Sequence, residues 1–279
     1  MKVISDPRKM HSFSISAAQK GLKIAFVPTM GALHEGHLAL IRAAKKKLDV
    51  VVVSIFVNPI QFGPKEDLKK YPRNIKKDIS LLKKEHVDVL FYPTAKNMFP
   101  EGYSSFVEVK GLDKNLCGAS RPGHFRGVAT IVAKLFNIVR PKVAFFGAKD
   151  YQQQAIIRKM VKDLNMSVEI VTVKTVREND GLARSSRNAY LSKEERKQAP
   201  VLYKTLLLAA HMIKTGEKNA AKVAAAAKKS IVQDTEFKID YVSVVNPQTL
   251  EYQKTIKRPV LIAVAAHLGK TRLIDNILI

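Results

Sequence analysis

The chain has 279 residues, 46% of them hydrophobic, enough to bury a sizeable core, and two unequal domains are expected. Its single cysteine, Cys117, excludes an internal disulfide framework and a cysteine-based zinc cluster; with neither a secretory h-region nor an apolar stretch long enough to span a bilayer, a cytoplasmic location is expected. The net charge of +24, from 48 Lys+Arg against 24 Asp+Glu, raises nucleic-acid binding as an alternative, but lysine runs such as Lys45-Lys46-Lys47 and Lys83-Lys84 have few aromatic neighbours and read as solvated helix faces whose field attracts anionic substrates.

In chain order, Lys23 to Val27 is a short apolar, β-prone run, Pro28 and Gly31 punctuate a turn, and Leu38 to Leu48 carries apolar residues at helical spacing. A helix is therefore expected from His34 or Glu35. Val50 to Val57 is a near-continuous apolar run, as in a strand covered on both faces, and completes a βαβ unit. Asn58 and Gln61 then fall just past the carboxyl end of that strand, where open α/β sheets place their ligands. A helix over 75–86 and a strand over 87–92 follow, then a Pro/Gly-bearing excursion through 99–103. Gly127 to Val139 reads as an apolar helix leading to a buried strand, Lys142 to Phe146, after which Gly147-Ala148-Lys149-Asp150 opens a helix over 151–164 and Ser167 to Val176 forms the last strand of this part. A polar loop, 177–187, marks a change in composition. Beyond it, helices are expected at 192–214, opened by a capping box of Ser192 with Glu195 and kinked at Pro200, and at 217–232. Two or three strands within 238–279 complete a small α+β domain. The expected fold is α/β, a Rossmann-like parallel sheet over 1–180 followed by a smaller C-terminal α+β lid over 181–279.

The segment Pro28-Thr-Met-Gly-Ala-Leu-His34-Glu-Gly-His37 carries the chemistry. At a helix N-terminus the first N–H groups lack partners and the macrodipole is positive, so an anion is stabilised without a side-chain charge. Imidazoles at i and i+3 share one helix face, from which both reach the same phosphate, and Gly36 allows a ligand near the backbone. A zinc-protease pattern needs the histidines at i and i+4 with a glutamate between them, so no metal ligand is assigned to this pair. An ordinary pair of surface histidines is the plain alternative.

Six ordered blocks run across the chain: that turn itself, then Phe56-Val-Asn-Pro-Ile-Gln-Phe62, Tyr71-Pro-Arg73, Arg121-Pro-Gly-His-Phe-Arg-Gly127, Phe146-Gly-Ala-Lys-Asp-Tyr-Gln-Gln153 and Asp180-Gly-Leu-Ala-Arg-Ser-Ser-Arg-Asn188. The set resembles the pantoate–β-alanine ligase (pantothenate synthetase) family, within the HxGH nucleotidylyl transferase superfamily. The resemblance implies ATP-dependent condensation of pantoate with β-alanine through a pantoyl adenylate, with Mg²⁺ accompanying ATP and a homodimeric enzyme. It further implies His37, His34, Lys149 and Arg187 as catalytic residues. ATP contacts are implied at Met30, Gly31, Ala32, Leu33, His34, Glu35, Gly36 and His37, at Gly147, Ala148, Lys149 and Asp150, at Val176, and at Arg184, Ser185, Ser186 and Arg187. Gln61, Gln153 and Asn58 are implied for pantoate, and Gln61 also for β-alanine. Read from the residues alone, Ser185 and Ser186 fit a helix N-cap, Lys149-Asp150 a surface ion pair, and the amides loop or helix-surface positions. The family has consecutive acidic residues after Tyr-Pro-Arg, whereas here Lys77 precedes Asp78, leaving only Asp78 for Mg²⁺; no protein metal ligand is assigned. A different HxGH nucleotidylyltransferase is the alternative within enzymes.

Overall fold

The structure, a computed structural model, describes every residue except 65 and 234. In chain order its regular elements are β1 (Lys2–Ile4), α1 (Pro7–Gln19), β2 (Ile24–Thr29), α2 (Glu35–Lys45), β3 (Val50–Ile55), α3 (Ile75–Lys84), β4 (Val89–Phe91), α4 (Ala95–Met98), α5 (Cys117–Ser120), α6 (His124–Val139), β5 (Val143–Gly147), α7 (Tyr151–Asp163), β6 (Glu169–Val173), α8 (Lys193–Gln198), α9 (Val201–Lys214), α10 (Ala220–Val232), β7 (Lys238–Val245), β8 (Leu261–Leu268) and β9 (Thr271–Leu278). Two compact units emerge: Met1–Val109 with Arg121–Ala148 and Gln153–Lys174, and Lys110–Ser120 with Lys149–Gln152 and Thr175–Ile279.

The first unit is built on a six-stranded sheet of order β1-β4-β3-β2-β5-β6, parallel throughout. All six residues of β3 are buried, which explains its unbroken valine run: a strand covered on both faces has no solvated side to keep polar. One face buries Val27, Ile41, Val53, Leu90 and Phe145 with α2 between them. On α6, twelve of sixteen residues are buried, and Phe136 meets Phe26 and Phe146 edge to face at ring separations of 6.4 and 6.5 Å. Because β2 has β3 on one side and β5 on the other, successive connections leave it in opposite directions. Its carboxyl end is therefore the switch point at which a doubly wound sheet opens a crevice.

Three elements in this unit have no counterpart in the sequence reading, one of them the single helical turn α4, capped by Thr94. β1 is a three-residue strand paired to β4, and α1 begins at Pro7 behind Asp6, whose carboxylate accepts from the Lys9 N–H at 2.9 Å. α6 also starts three residues before the expected Gly127, so His124 and Arg126 lie in its first turn.

The second unit packs α9 and α10 against an antiparallel sheet of order β7-β8-β9, with Leu206, Ala209, Val223, Ile231 and Val264 in its core. The expected capping box is present: Ser192 Oγ accepts from the Glu195 N–H at 3.2 Å and Glu195 Oε2 from the Ser192 N–H at 2.7 Å. Pro200 separates α8 from α9 instead of bending one continuous helix.

Candidate active site

β2 ends at Thr29, and the chain turns through Gly31 (φ 83°) and Ala32 (φ 50°) before α2 begins. A Cβ on Gly31 would lie 3.0 Å from Ile55 Cγ2 and 3.1 Å from Asp78 Oδ2, so any side chain there would be both crowded and strained. The consecutive left-handed residues are held from outside the βαβ unit. Asp78 on α3, 2% exposed, accepts from the Leu33 N–H through Oδ1 at 2.8 Å and from the Ala32 N–H through Oδ2 at 3.0 Å. This anchoring role was not legible in the sequence.

His34 is the N-cap of α2. Its Nδ1 accepts from the Gly36 N–H at 3.1 Å, while His37 Nδ1 accepts from the His34 N–H at 3.4 Å, and the rings lie with centroids 4.1 Å apart, tilted by 41° to one another. Two histidines thus form the reciprocal cap usually made by Ser/Thr with Glu/Gln. With both Nδ1 atoms accepting from backbone, the neutral rings carry their protons on Nε2, so each is a directed N–H donor at the positive end of a helix. Glu35, by contrast, is tied to Arg42, which also grips Glu85 through Nε at 3.1 Å.

β3 leads into a 3-10 turn, Pro59–Gln61. Asn58, 1% exposed, and Gln61, 8% exposed, are buried amides and not surface ones. Asn58 Nδ2 donates to Gln61 Oε1 at 3.0 Å and to the Gly127 carbonyl at 3.0 Å. Gln61 Oε1 being an acceptor, its Nε2 is the donor end, and it donates to Met30 Sδ, in the β2–α2 turn, at 3.0 Å. A cavity of about 280 Å³, lined by Met30, Gly31, Pro59, Arg73, Asn74 and Asp78 among others, adjoins the turn. Gln153 is half-buried on α7.

In the second unit, the Lys149 ammonium is 3.9 Å from Asp150 Oδ1 and the Lys149 carbonyl accepts from Asn276 Nδ2 at 2.7 Å. The neighbouring Asp275 receives both ends of the Arg177 guanidinium, at 2.6 and 3.0 Å, and Arg177 also donates to the Gly181 carbonyl at 3.0 Å. Arg177 pairs with Ala183, and the Arg184 N–H donates to the Val176 carbonyl at 2.9 Å, closing a loop that presents Arg184 to Arg187. Ser185 serves as the N-cap of a 3-10 turn, Ser186–Tyr190, its Oγ accepting from the Arg187 N–H at 3.3 Å. A capping hydroxyl still has its own proton to donate. Adjacent residues of β9, Asp275 and Asn276, therefore brace both cation-bearing segments of this unit, a role that no motif announces.

The Mg²⁺ expectation meets a poor fit on the protein side. Asp78, the one carboxylate left for it by Lys77, spends both oxygens on backbone N–H groups. Among the described residues no three His, Cys, Asp or Glu converge on a point that could hold a metal.

A parallel sheet whose switch-point strand runs into an HxGH helix cap defines an α/β enzyme of the nucleotidylyl transferase type. The sequence matches the profile of the pantoate–β-alanine ligases over residues 2–278. It is 53% identical to the pantothenate synthetase of Thermotoga neapolitana over 276 residues, 99% of each chain, and 50% identical to that of Moorella thermoacetica over 279 residues, 100% of this chain and 99% of the other. The pantothenate synthetase structure from Thermus thermophilus superposes with a TM-score of 0.93 at 45% identity, covering 99% of both chains. The ligase from Francisella tularensis, solved with β,γ-ATP and β-alanine, gives 0.82 at 37% identity, covering 100% of this chain and 97% of that one. The chain belongs to the pantoate–β-alanine ligase family. It is an ATP-dependent ligase that forms pantothenate from pantoate and β-alanine. That family membership sets aside the reading as a different HxGH nucleotidylyltransferase.

Proposed function

We propose that the ATP phosphates lie at the amino end of α2, against the backbone of Met30 to His37, with His34 and His37 donating through Nε2. The observation that carries this reading is the reciprocal histidine cap, which fixes both imidazoles as donors where a helix terminus already favours an anion. Gly147, Ala148, Lys149 and Asp150, Val176, and Arg184 to Arg187 complete the ATP contacts, with Lys149 and Arg187 supplying cations to the departing pyrophosphate. Gln61 takes the pantoate carboxylate and then β-alanine, Gln153 takes pantoate, and Asn58 contributes by fixing the Gln61 amide. Mg²⁺ travels with the triphosphate, coordinated by phosphate oxygens and water. The enzyme works as a cytoplasmic homodimer; no helix among the described residues is long and apolar enough to cross a membrane.

In the first step a pantoate carboxylate oxygen attacks the α-phosphorus, and the bond to the bridging oxygen of pyrophosphate breaks. In the second, the β-alanine amine attacks the adenylate carbonyl, the bond to AMP breaks, and the amine loses a proton. The protein's part is positioning and stabilisation of charge on phosphate oxygens. Rapid quench without β-alanine tests the order: bound pantoyl adenylate with stoichiometric pyrophosphate supports it, whereas no pyrophosphate until β-alanine arrives refutes it.

A further inference from the structure

We propose that His124 is a positioning residue for the ligase reaction, setting the direction of the Gln61 amide through the Gln61 backbone carbonyl; the inference rests on the assignment of Gln61 to the acid substrates. The Pro59–Gln61 turn has no side-chain cap of its own. It is held instead by the first turn of α6. His124 Nδ1 lies 2.8 Å from the Gln61 carbonyl oxygen, Gly127 brings the helix so close that a Cβ there would sit 2.4 Å from the Ile60 carbonyl oxygen, and Asn58 reaches the Gly127 carbonyl.

The neighbours of His124 settle its protonation pattern. Its Nε2 is 3.0 Å from Arg121 Nη1, and a guanidinium nitrogen can only donate, so Nε2 accepts. The proton therefore sits on Nδ1 and is donated to the Gln61 carbonyl. Arg121 is itself oriented by Glu66, through Nε to Oε1 at 3.0 Å and a second contact from Nη2 to Oε2. His124 is 9% exposed, and its ring packs edge-on against Phe125. A chain from Glu66 through Arg121 and His124 thus ends on the residue assigned to the acid substrates. This accounts for the Arg121-Pro-Gly-His-Phe-Arg-Gly127 block, to which no substrate contact is assigned.

Two conservative variants separate the partners of the ring. In His124→Asn the amide nitrogen occupies the Nδ1 position and keeps the bond to Gln61; in His124→Gln the amide reaches the Nε2 position and keeps Arg121 while losing Gln61. The Michaelis constants for pantoate, β-alanine and ATP are measured for both, in wild-type and Gln61→Ala backgrounds. His124→Gln is expected to raise the pantoate KM about ten-fold with the ATP KM within about two-fold, His124→Asn to restore it, and the effect of His124→Gln to vanish in Gln61→Ala. An equal effect in both backgrounds, or His124→Gln behaving as wild type while Gln61→Ala does not, overturns the positioning role. If Gln61→Ala itself leaves the pantoate and β-alanine constants unchanged, the assignment of Gln61 falls first and the proposal with it.

Discussion

Replacing Asp78 with alanine removes one buried carboxylate and orphans two backbone donors in the turn that precedes the HxGH helix. The Leu33 N–H belongs to a residue 5% exposed, so loss of its charged partner carries the penalty of an unsatisfied buried donor, about 1–3 kcal/mol. The Ala32 N–H belongs to a half-buried residue that lines the cavity beside the turn, and water can replace its partner, so its contribution is smaller, about 1 kcal/mol. Asp78 also restrains Ala32 in the left-handed region, where a residue with a Cβ costs about 1–2 kcal/mol. The two lost bonds sum to about 3 kcal/mol and relief of the Ala32 strain as the turn relaxes opposes them, so Asp78→Ala is predicted to lose about 2 kcal/mol and Asp78→Asn, which keeps one acceptor, roughly half of that. Urea unfolding followed by circular dichroism, with the slope unchanged, measures the loss, and the ATP KM should rise in parallel because the turn relaxes. A loss below about 1 kcal/mol with an unaltered ATP KM would refute the idea that this carboxylate shapes the nucleotide site.

Gly127→Ala should cost about 1–3 kcal/mol and raise the pantoate KM, because the new Cβ meets the backbone at the Ile60 carbonyl and, at 2.6 Å, Gln61 Cα, neither of which can move aside by a rotamer change; a wild-type melting temperature contradicts this. His37→Ala should slow adenylation by about 10²-fold with the fold intact, as expected for loss of a positioned donor to developing charge, and near-normal pyrophosphate release in a single turnover would exclude that role. Burial pushes the Glu66 carboxyl up, but the hydrogen bonds and charge of Arg121 outweigh it and hold the group below its ordinary 4.5. A folded value below the unfolded one gives stabilisation that is complete above pH 4.5 and lost as the pH falls through the depressed value. The difference in melting temperature between wild type and Glu66→Gln should therefore shrink on acidification, and a constant difference would show that the ion pair does not contribute.

The parts of the site that were legible in the sequence are local. The valine run of β3, the Pro/Gly turn and the histidine pair each declare themselves within about ten residues, and switch-point logic then places Asn58 and Gln61 past a strand end. β1 escapes detection because three residues carry no periodicity; pairing with β4 makes them a strand. α1 did leave a signal, Asp6 followed by Pro7, that its mixed polarity obscures. The supporting residues are the least legible of all. Asp78 lies 46 positions from Ala32, His124 63 from Gln61, and Asn276 127 from Lys149, and nothing but the folded chain reveals such partners. In α6 the Arg121-Pro-Gly123 sequence reads as a turn that ought to delay the helix, whereas Gly123 at φ 81° serves as its N-cap and lets the helix begin at His124.

The bonds from Asp78 give the nucleotide turn a built-in isotopic probe. The amide protons of Ala32 and Leu33 can exchange with deuterium only when α3 withdraws its carboxylate, so their protection factors report how often the turn opens, separately from global unfolding. Two backbone signals, on residues whose side chains take no part in the chemistry, would then follow every ligand that tightens or loosens this corner of the fold.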